Sequence, residues 1–493
     1  MKKALLLSLF YAAAALALLT GRYDPIGVVN AVLAERGGFA AFELVHPLYG
    51  PLLLLLSKAL SAAGLAAPHM AAFQAVNVLF TSASVGVSFL LLTAAGLPAL
   101  AAASAALCAG FSPGSWYWAM QAKPYAPALF FALSALYLLR GPGRPGKGRL
   151  LYAAAASALA CSFTAACAAL LPVFWFSVRA DRRGKEAARA IALFTGAWAL
   201  GLTLLYLPLL ALKWAHISAL ASGGFFQALA AVPGSGTLPA SKSLARQLSL
   251  FGERFLSGNY ALGGALFFAA SGFFFREKMA PGESRIPLLA AAAAACLVVF
   301  NLAADPHNDF GYSITVLLIL AGAGLGGRLK VLHYALPALA GLSIFFAVSP
   351  GLTGSAAVKD VYRDEAVFLN SRLSAGDTLL CAGPPDWRLA YLLTGKVKLL
   401  QMDMGGSEGM LFAPELLPPG GGLAKRLKEA SASGRRVLLA PDVMFQPDTL
   451  WTKDEIKTRI DGAVKWLEGG FTLGKPEISP NGQYYYPLSR RRG

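Results

Sequence analysis

The chain has 493 residues, of which 56% are hydrophobic and 14% are charged. Soluble globular proteins carry about 25% charged residues, so most of this chain does not face water. Residues 1–350 hold 24 basic and 10 acidic side chains, whereas residues 351–493 hold 19 and 16. This composition predicts a polytopic α-helical membrane domain over 1–350 and a small α/β domain over 351–493, and it excludes a wholly soluble protein.

The excess of positive charge does not indicate a nucleic-acid partner. The Lys and Arg residues lie in short loops between apolar segments, which is the pattern of membrane topology and not of a basic groove. The five cysteines have no spacing typical of a zinc site or a disulfide. Neither nucleic-acid binding nor a cysteine-bound metal is therefore expected.

Apolar segments predict the path through the bilayer, because a spanning helix needs about 20 apolar residues. The equally apolar segment 46–65 contains Pro47 and Pro51, which favour an interfacial or re-entrant helix. If segment 46–65 does not cross the membrane, the strongest basic loops all fall on the cytoplasmic side. These loops are 140–149, 179–189, 276–285 and 328–330. Eleven crossings follow: 4–20, 70–95, 98–112, 124–140, 150–163, 164–178, 188–212, 259–275, 286–303, 312–327 and 331–350.

This topology predicts a multi-pass protein of the inner (plasma) membrane. The N-terminus is expected in the cytoplasm and the domain 351–493 outside. Long outer loops are predicted at 21–69, with interfacial helices, and at 213–258. Carboxylates near a membrane face are costly unless they are solvated, paired or functional. Because six of the ten acids of residues 1–350 fall on the outer side, we expect the chemistry there: Asp24, Glu35, Glu43, Glu253, Asp305 and Asp309.

Two outer segments carry the first candidate residues. Asp24 follows the first span beside Arg22, where a carboxylate can act as a general base on a hydroxyl or cap a helix before Pro25. Lys123 begins a span on the outer side, where it can bind a lipid phosphate as a point charge or extend to the headgroups. The aromatic residues 116–118 before Lys123 are most simply interpreted as an interfacial aromatic belt.

Three further features lie elsewhere in the predicted membrane domain. Asp305, His307 and Asp309 could bind a metal or a sugar, assist proton transfer, or form only a solvated turn. Arg246 and Arg254 in the loop 213–258 could contact a ligand phosphate. The glycine-rich segment 322–327 lacks the context of a nucleotide fingerprint and predicts close helix packing.

The tail alternates short apolar runs with amphipathic stretches, which predicts a parallel sheet with helices. The carboxyl ends of two of its strands, at 383–386 and 441–442, are expected to line a crevice, with acceptor docking or a structural role. Strands are predicted at 378–381, 397–401 and 436–440, helices at 363–373, 387–393, 423–430 and 452–467, and a terminal hairpin at Asn481-Gly482.

These landmarks together resemble the GT-C superfamily of polytopic glycosyltransferases, which includes protein O-mannosyltransferases and aminoarabinose transferases. The similarity rests on an acid after the first span (Asp24), a His-Pro-Pro-Gly-Tyr-Pro-like motif at 46–51, a Trp-rich turn ending at 123–125, and an Asp-containing turn at 305–312. The resemblance implies inverting transfer of a sugar from a polyprenyl-phosphate donor to a glycan or protein acceptor, with Asp24 as general base. It implies no cofactor and leaves a divalent metal open. Together with the residues considered above, the candidate substrate-binding residues are Arg22, Glu43, His46, Tyr49, Lys123, Tyr125, Arg246, Arg254, Asp305, His307 and Asp309.

The sequence departs from the family pattern at two places. Lys123 stands where the family-like turn has Glu, and Thr164-Ala165 stands where an Asn-His pair is expected. This change could mean a different donor or acceptor, or an inactive relative that only binds polyprenyl lipid. A polytopic lipid or sugar transporter is the competing class of protein. Transporters often show repeated, interrupted spans in matching halves. The sequence shows no such repeat, which favours the enzyme.

Overall fold

The computed structural model describes twelve stretches of the chain and ten single positions between them. The stretches are 1–19, 46–65, 69–180, 182–220, 286–303, 312–326, 330–353, 361–381, 397–402, 415–417, 421–440 and 467–490, and the single positions are 27, 30, 31, 34, 35, 389, 392, 393, 461 and 465. The chain divides into two compact units. The first consists of Met1–Thr20, Arg36–Leu65 and His69–Ser355, and the second of Gly21–Glu35, Ala66–Pro68 and Ala356–Gly493.

The described part of the first unit is helical. A short 3₁₀ helix, Ala165–Leu170, stands between α7 and α8. The α-helices are α1 (Lys2–Ala17), α2 (Tyr49–Ala62), α3 (Met70–Ala94), α4 (Ala99–Gly110), α5 (Pro113–Ala119), α6 (Tyr125–Arg140), α7 (Lys147–Phe163), α8 (Leu171–Arg179), α9 (Gly184–Leu220), α10 (Ile286–Ala303), α11 (Tyr312–Gly326) and α12 (Lys330–Thr353).

The helices lie where the apolar segments predict them, but the number of crossings stays a prediction. Among the described residues, Met70–Ala94 and Gly184–Pro208 are long and apolar enough to cross a membrane, and seven further apolar helices are shorter. The predicted span 259–275 lies outside the described residues. One boundary is wrong: α9 continues past residue 212 to Leu220, so the predicted loop 213–258 begins with a helical segment.

Glycine residues allow two pairs of helices in this unit to pack closely. Helix α1 packs on α3 and α10 on α11. A β-carbon added at Gly86 would collide with the Ser8 hydroxyl, and one added at Gly324 would collide with the ring of Pro287. The close packing predicted for the glycine-rich segment 322–327 is therefore confirmed at Gly324.

Large apolar side chains cover the outward faces of several of these helices. Leu5, Leu6 and Leu9 of α1 are exposed, as are Leu200 and Leu204 of α9. Contiguous exposed apolar surface is unusual for a protein in water. These faces are typical of helices that contact lipid.

The described part of the second unit contains a seven-stranded sheet in the order β3-β2-β1-β4-β7-β5, with β6 paired to β7. Strands β1 to β4 are parallel to one another, and β7 runs antiparallel to β4. Helices α13 (Val361–Arg372) and α14 (Gly421–Ala432) accompany it. The strands are β1 (Thr378–Cys381), β2 (Lys398–Met402), β3 (Glu415–Leu417), β4 (Val437–Ala440), β5 (Phe471–Leu473), β6 (Glu477–Ile478) and β7 (Tyr484–Arg490).

The predicted strands and the helices at 363–373 and 423–430 are confirmed, whereas β3 and β5 were not predicted. The register pairs Cys381 with Ala440, so the carboxyl ends of β1 and β4 lie side by side. The crevice residues predicted beyond those ends, at 383–386 and 441–442, lie outside the described residues, as does most of the predicted helices 387–393 and 452–467. The predicted hairpin turn is present, and Gly482 takes the left-handed conformation, with φ of 79°.

Alternation along the strands gives the sheet two buried faces. Leu380 and Leu439 pack with Leu427 of α14, whereas Leu379 and Leu438 pack with Leu369 of α13. Successive side chains of a strand point to opposite faces, and parallel strands are usually buried on both. Burial of the β1–β4 pair between two helices raises the pKa of the Cys381 thiol to about 12.

A buried carboxylate joins helix α13 to the hairpin. The side chain of Glu365 is fully buried, and it accepts hydrogen bonds from Ser479 Oγ at 2.9 Å, Asn481 Nδ2 at 2.8 Å and the Tyr485 hydroxyl. Burial, with the hydrogen bond to Glu365, raises the pKa of Tyr485 well above its usual range. The phenol therefore stays protonated and donates to the carboxylate.

The predicted topology can be tested at exposed positions of the two units. In a chain whose five cysteines are replaced by Ala, we expect Lys147→Cys to resist a membrane-impermeant maleimide in intact cells. Ser433→Cys, the matched exposed position of the second unit, should be labelled without opening the membrane. Labelling of Lys147→Cys from outside would contradict the orientation on which the outer-face chemistry depends.

Candidate functional site

Four of the predicted site residues lie in the described part of the chain, and all four meet in one cluster. These are His46, Tyr49, Lys123 and Tyr125. They come from the segment 46–51 and from the turn between α5 and α6, as the sequence predicts. The others lie outside the described residues: Arg22, Asp24, Glu43, Arg246, Arg254, Asp305, His307 and Asp309.

Asn77 of α3 is the centre of this cluster. Its side chain is fully buried, and Nδ2 donates to the carbonyl oxygens of Lys123 at 2.7 Å and of Gln121. A longer contact of 3.4 Å reaches the carbonyl of Trp118. The Oδ1 atom accepts a hydrogen bond from the Tyr49 hydroxyl at 3.2 Å. One amide thus ties the start of α2 to the backbone of the α5–α6 turn.

Gln74 extends the same arrangement by one helical turn. Its Nε2 donates to the Met120 carbonyl at 2.6 Å, and its side chain is 2% exposed. Residues three apart lie on the same face of a helix, so Gln74 and Asn77 present two amides to one stretch of irregular backbone. Residues 120–124 form no helix or strand, and their carbonyls need donors because buried backbone groups are costly to leave unbonded.

Gln74 and Asn77 were not predicted as site residues, although the sequence carries a signal for them. Both are polar residues inside the predicted span 70–95. Polar side chains within a membrane segment are expensive and usually face the interior of a bundle, where they are functional or paired. The three-residue spacing of two amides in that span was the available indication. We refer to His46, Tyr49, Gln74, Asn77 and residues 117–125 as the Asn77 cluster.

Lys123 is buried inside the protein. Its side chain is 1% exposed, and Nζ lies 5.0 Å from the centroid of the Tyr117 ring, within the range of a cation–π interaction. The alternative in which Lys123 extends to the headgroups is therefore wrong, because the turn folds the ammonium inward.

The aromatic-belt interpretation is also wrong for Trp118, which is buried and has its ring centroid 5.4 Å from that of Tyr125.

His46 attaches the first-loop motif to the end of α7. Its Nδ1 donates to the Phe163 carbonyl at 2.9 Å, and the backbone N–H of Leu48 donates to the Ser162 carbonyl at 3.0 Å. The last carbonyls of a helix have no partner within it, so the segment 46–48 caps α7. The His46 ring also contacts that of Tyr125 edge to face, with centroids 5.7 Å apart.

The cluster therefore places one cationic side chain in the interior of the bundle. A buried ammonium in a low-dielectric surrounding interacts strongly with negative charge, and the amides of α3 fix the backbone that carries it. Among the described residues, no group of three His, Cys, Asp or Glu side chains could hold a metal ion. The predicted loop with Asp305, His307 and Asp309 is outside that part of the chain.

Comparison with known proteins identifies the fold. No family model matches the chain, and no curated protein matches it. The solved structure of ArnT, an aminoarabinose transferase, from Cupriavidus metallidurans in the apo state is 14% identical, with a TM-score of 0.64 over 98% of this chain and 97% of that chain. ArnT bound to undecaprenyl phosphate is 13% identical over the same shares, with a TM-score of 0.61.

A third solved structure extends the similarity. The oligosaccharyltransferase of Archaeoglobus fulgidus is 14% identical, with a TM-score of 0.50 over 98% of this chain and 73% of that chain. At this level of identity the likeness is one of fold. The fold of this chain is GT-C-like, a polytopic membrane fold, as the motifs of the sequence predict.

The geometry of the cluster predicts a specific loss on substitution of Asn77. We expect Asn77→Asp to lower the free energy of unfolding by about 2–4 kcal/mol, because each buried carbonyl left without a donor costs about 1–3 kcal/mol. Tyr49→Phe, which removes one hydrogen bond, should cost about 1 kcal/mol. Thermal unfolding of the detergent-purified protein measures both. An unchanged midpoint for Asn77→Asp would contradict the central role of the amide.

Proposed function

We propose that the chain is a membrane glycosyltransferase of the GT-C type. It transfers a sugar from a polyprenyl-phosphate donor to a glycan or protein acceptor at the outer face of the membrane, with inversion at the anomeric carbon. The fold and the buried cation of the Asn77 cluster support this proposal. The single observation that carries it is the inward position of Lys123, since an ammonium there matches the phosphate of such a donor.

The physical argument for a phosphate ligand begins with desolvation. Removing an ammonium from water is costly, and an anionic group held nearby offsets that cost. A phosphate at the predicted outer end of the bundle can approach from the bilayer, because its polyprenyl chain is too apolar to leave the membrane. The solved ArnT structure bound to undecaprenyl phosphate is an example of this fold with that class of lipid.

We assign the general base to Asp24 on the strength of the sequence. In this mechanism the carboxylate takes the proton of the acceptor hydroxyl as its oxygen attacks the anomeric carbon. The bond from that carbon to the phosphate oxygen breaks, and the phosphate leaves with the electron pair. Lys123 stabilises the charge that develops on the leaving oxygen, which is the role that a preorganised cation plays in a dry site.

The assignment of Asp24 predicts loss of transfer without loss of protein. In cells that lack the gene, the wild-type chain should restore a modification of envelope glycans or glycoproteins that mass spectrometry detects. Asp24→Asn should fail to restore it at equal abundance in the membrane. Glu35→Gln, an acid of the same predicted loop, is the matched control and should restore it. Turnover by Asp24→Asn would remove Asp24 from this role.

The assignment of Lys123 predicts weaker binding of the donor lipid. We expect Lys123→Met to lower the affinity for undecaprenyl phosphate at least tenfold, because the hydrogen-bonded charge pair is lost. Lys58→Met, which changes an exposed lysine of α2, should leave the affinity unchanged. Native mass spectrometry of the purified protein measures both. Equal binding by the two variants would contradict the proposed phosphate site.

Two results would favour the other classes of protein. Binding of undecaprenyl phosphate with no change in any envelope glycan would favour a relative that only binds the lipid. Movement of the intact lipid or sugar across proteoliposome membranes would favour a transporter. Both measurements are made on the wild-type protein, so the two outcomes can be compared directly.

A further inference from the structure

Thr164 interrupts the helical path between α7 and the 3₁₀ helix. Its backbone is extended, with φ of −153° and ψ of 128°. The N–H of Thr164 donates to the Ala160 carbonyl at 3.0 Å, and its own carbonyl accepts from the N–H of Cys167 at 3.1 Å. The backbone at the break is therefore satisfied, and the side-chain hydroxyl is the remaining polar group of the residue.

That hydroxyl is buried without a hydrogen-bond partner. Thr164 is fully buried, and Oγ1 has no partner in the part of the chain that the structure describes. Nearly all buried polar groups in proteins are hydrogen-bonded, so an exception needs an explanation. Valine has almost the same shape and would fill the position without that penalty. The hydroxyl thus lowers the stability of the protein alone, and a ligand that accepts a hydrogen bond from it would remove that cost.

The break lies directly beside the Asn77 cluster. The two residues before Thr164 contribute the carbonyls that bind Leu48 and His46. The His46 ring in turn contacts Tyr125, which follows Lys123 by two positions. The docked segment 46–48 therefore joins the break to the turn that carries the buried ammonium.

We propose that the Thr164 hydroxyl donates a hydrogen bond to the phosphate of a polyprenyl lipid, together with the Lys123 ammonium. Phosphate oxygens accept readily from both hydroxyl and ammonium donors. The inference rests on the proposed function. It adds a second hydrogen-bond donor to the phosphate and a loss of stability in the ligand-free protein. It also gives a chemical meaning to Thr164 at the position where the family-like pattern has an Asn-His pair.

Ser177 of α8 provides a matched control. Its hydroxyl is also buried and also lacks a partner among the described residues. It follows Thr164 by 13 positions, at the other end of the same helical segment. A general effect of removing a buried hydroxyl should appear at both residues, whereas an effect on the phosphate should appear at Thr164 alone.

The experiment compares wild type, Thr164→Val, Thr164→Ser and Ser177→Ala in detergent. Each protein is titrated with undecaprenyl phosphate, with undecaprenol and with inorganic phosphate, and its ligand-free unfolding midpoint is recorded. We expect Thr164→Val to bind undecaprenyl phosphate about tenfold more weakly, with an unfolding midpoint equal to or above that of wild type. Thr164→Ser and Ser177→Ala should bind like wild type, and undecaprenol should not distinguish the variants.

The outcomes separate this inference from the proposed function. No binding of undecaprenyl phosphate by wild type would overturn the proposed function itself. Normal binding by Thr164→Val, or a fall in its ligand-free stability with unchanged binding, would overturn only the role of the hydroxyl. Stabilisation by inorganic phosphate equal to that by the lipid, and lost in Thr164→Val, would overturn the lipid as the source of the phosphate.

Discussion

The described site depends on one constraint, which is that irregular backbone inside a helical bundle must find hydrogen-bond donors. The turn between α5 and α6 has carbonyls that no helix satisfies, and the Asn77 amide supplies donors for them. The same amide accepts from Tyr49, so it also fixes the start of α2. Because polar backbone is tolerated at membrane depth only where protein or water satisfies it, this arrangement allows Lys123 to be held inside the bundle.

The burial of Lys123 gives a consistent account of the departure from the family-like pattern. A carboxylate in that turn would bind a cation or a hydroxyl, whereas an ammonium binds an anion. The described contacts that position the turn are to backbone carbonyls and not to the charged group. A different side chain at residue 123 would therefore leave these contacts in place. This separation of scaffold from chemistry is general in folds that host many functions.

Much of the fold could be predicted from the sequence, because long apolar segments and alternating short strands have strong periodic signals. The helix starts near residues 70, 125 and 147 and the strand Thr378–Cys381 follow directly from them. The end of α9 at Leu220 was not predicted, because the continuous apolar run ends at residue 212 and Lys213 and His216 resemble the start of a loop. Of the site, the segment at His46 and the turn at Lys123 were predicted to be important, and the structure brings them together. Their connection through Asn77 was missed, since the hydrogen bonds join residues more than 40 positions apart. Such pairs have no local pattern.

The buried carboxylate of Glu365 has a consequence for the assembly of the tail. Its three donors come from residues 114 to 120 positions later in the chain, so the buried carboxyl group of Glu365 has none of them until the hairpin has been synthesised. The apolar residues of α13 can already pack on β1 and β4, whereas the hydrogen bonds of Glu365 form last. A chain cut before the hairpin would therefore keep a buried polar group without these donors, which costs about 1–3 kcal/mol.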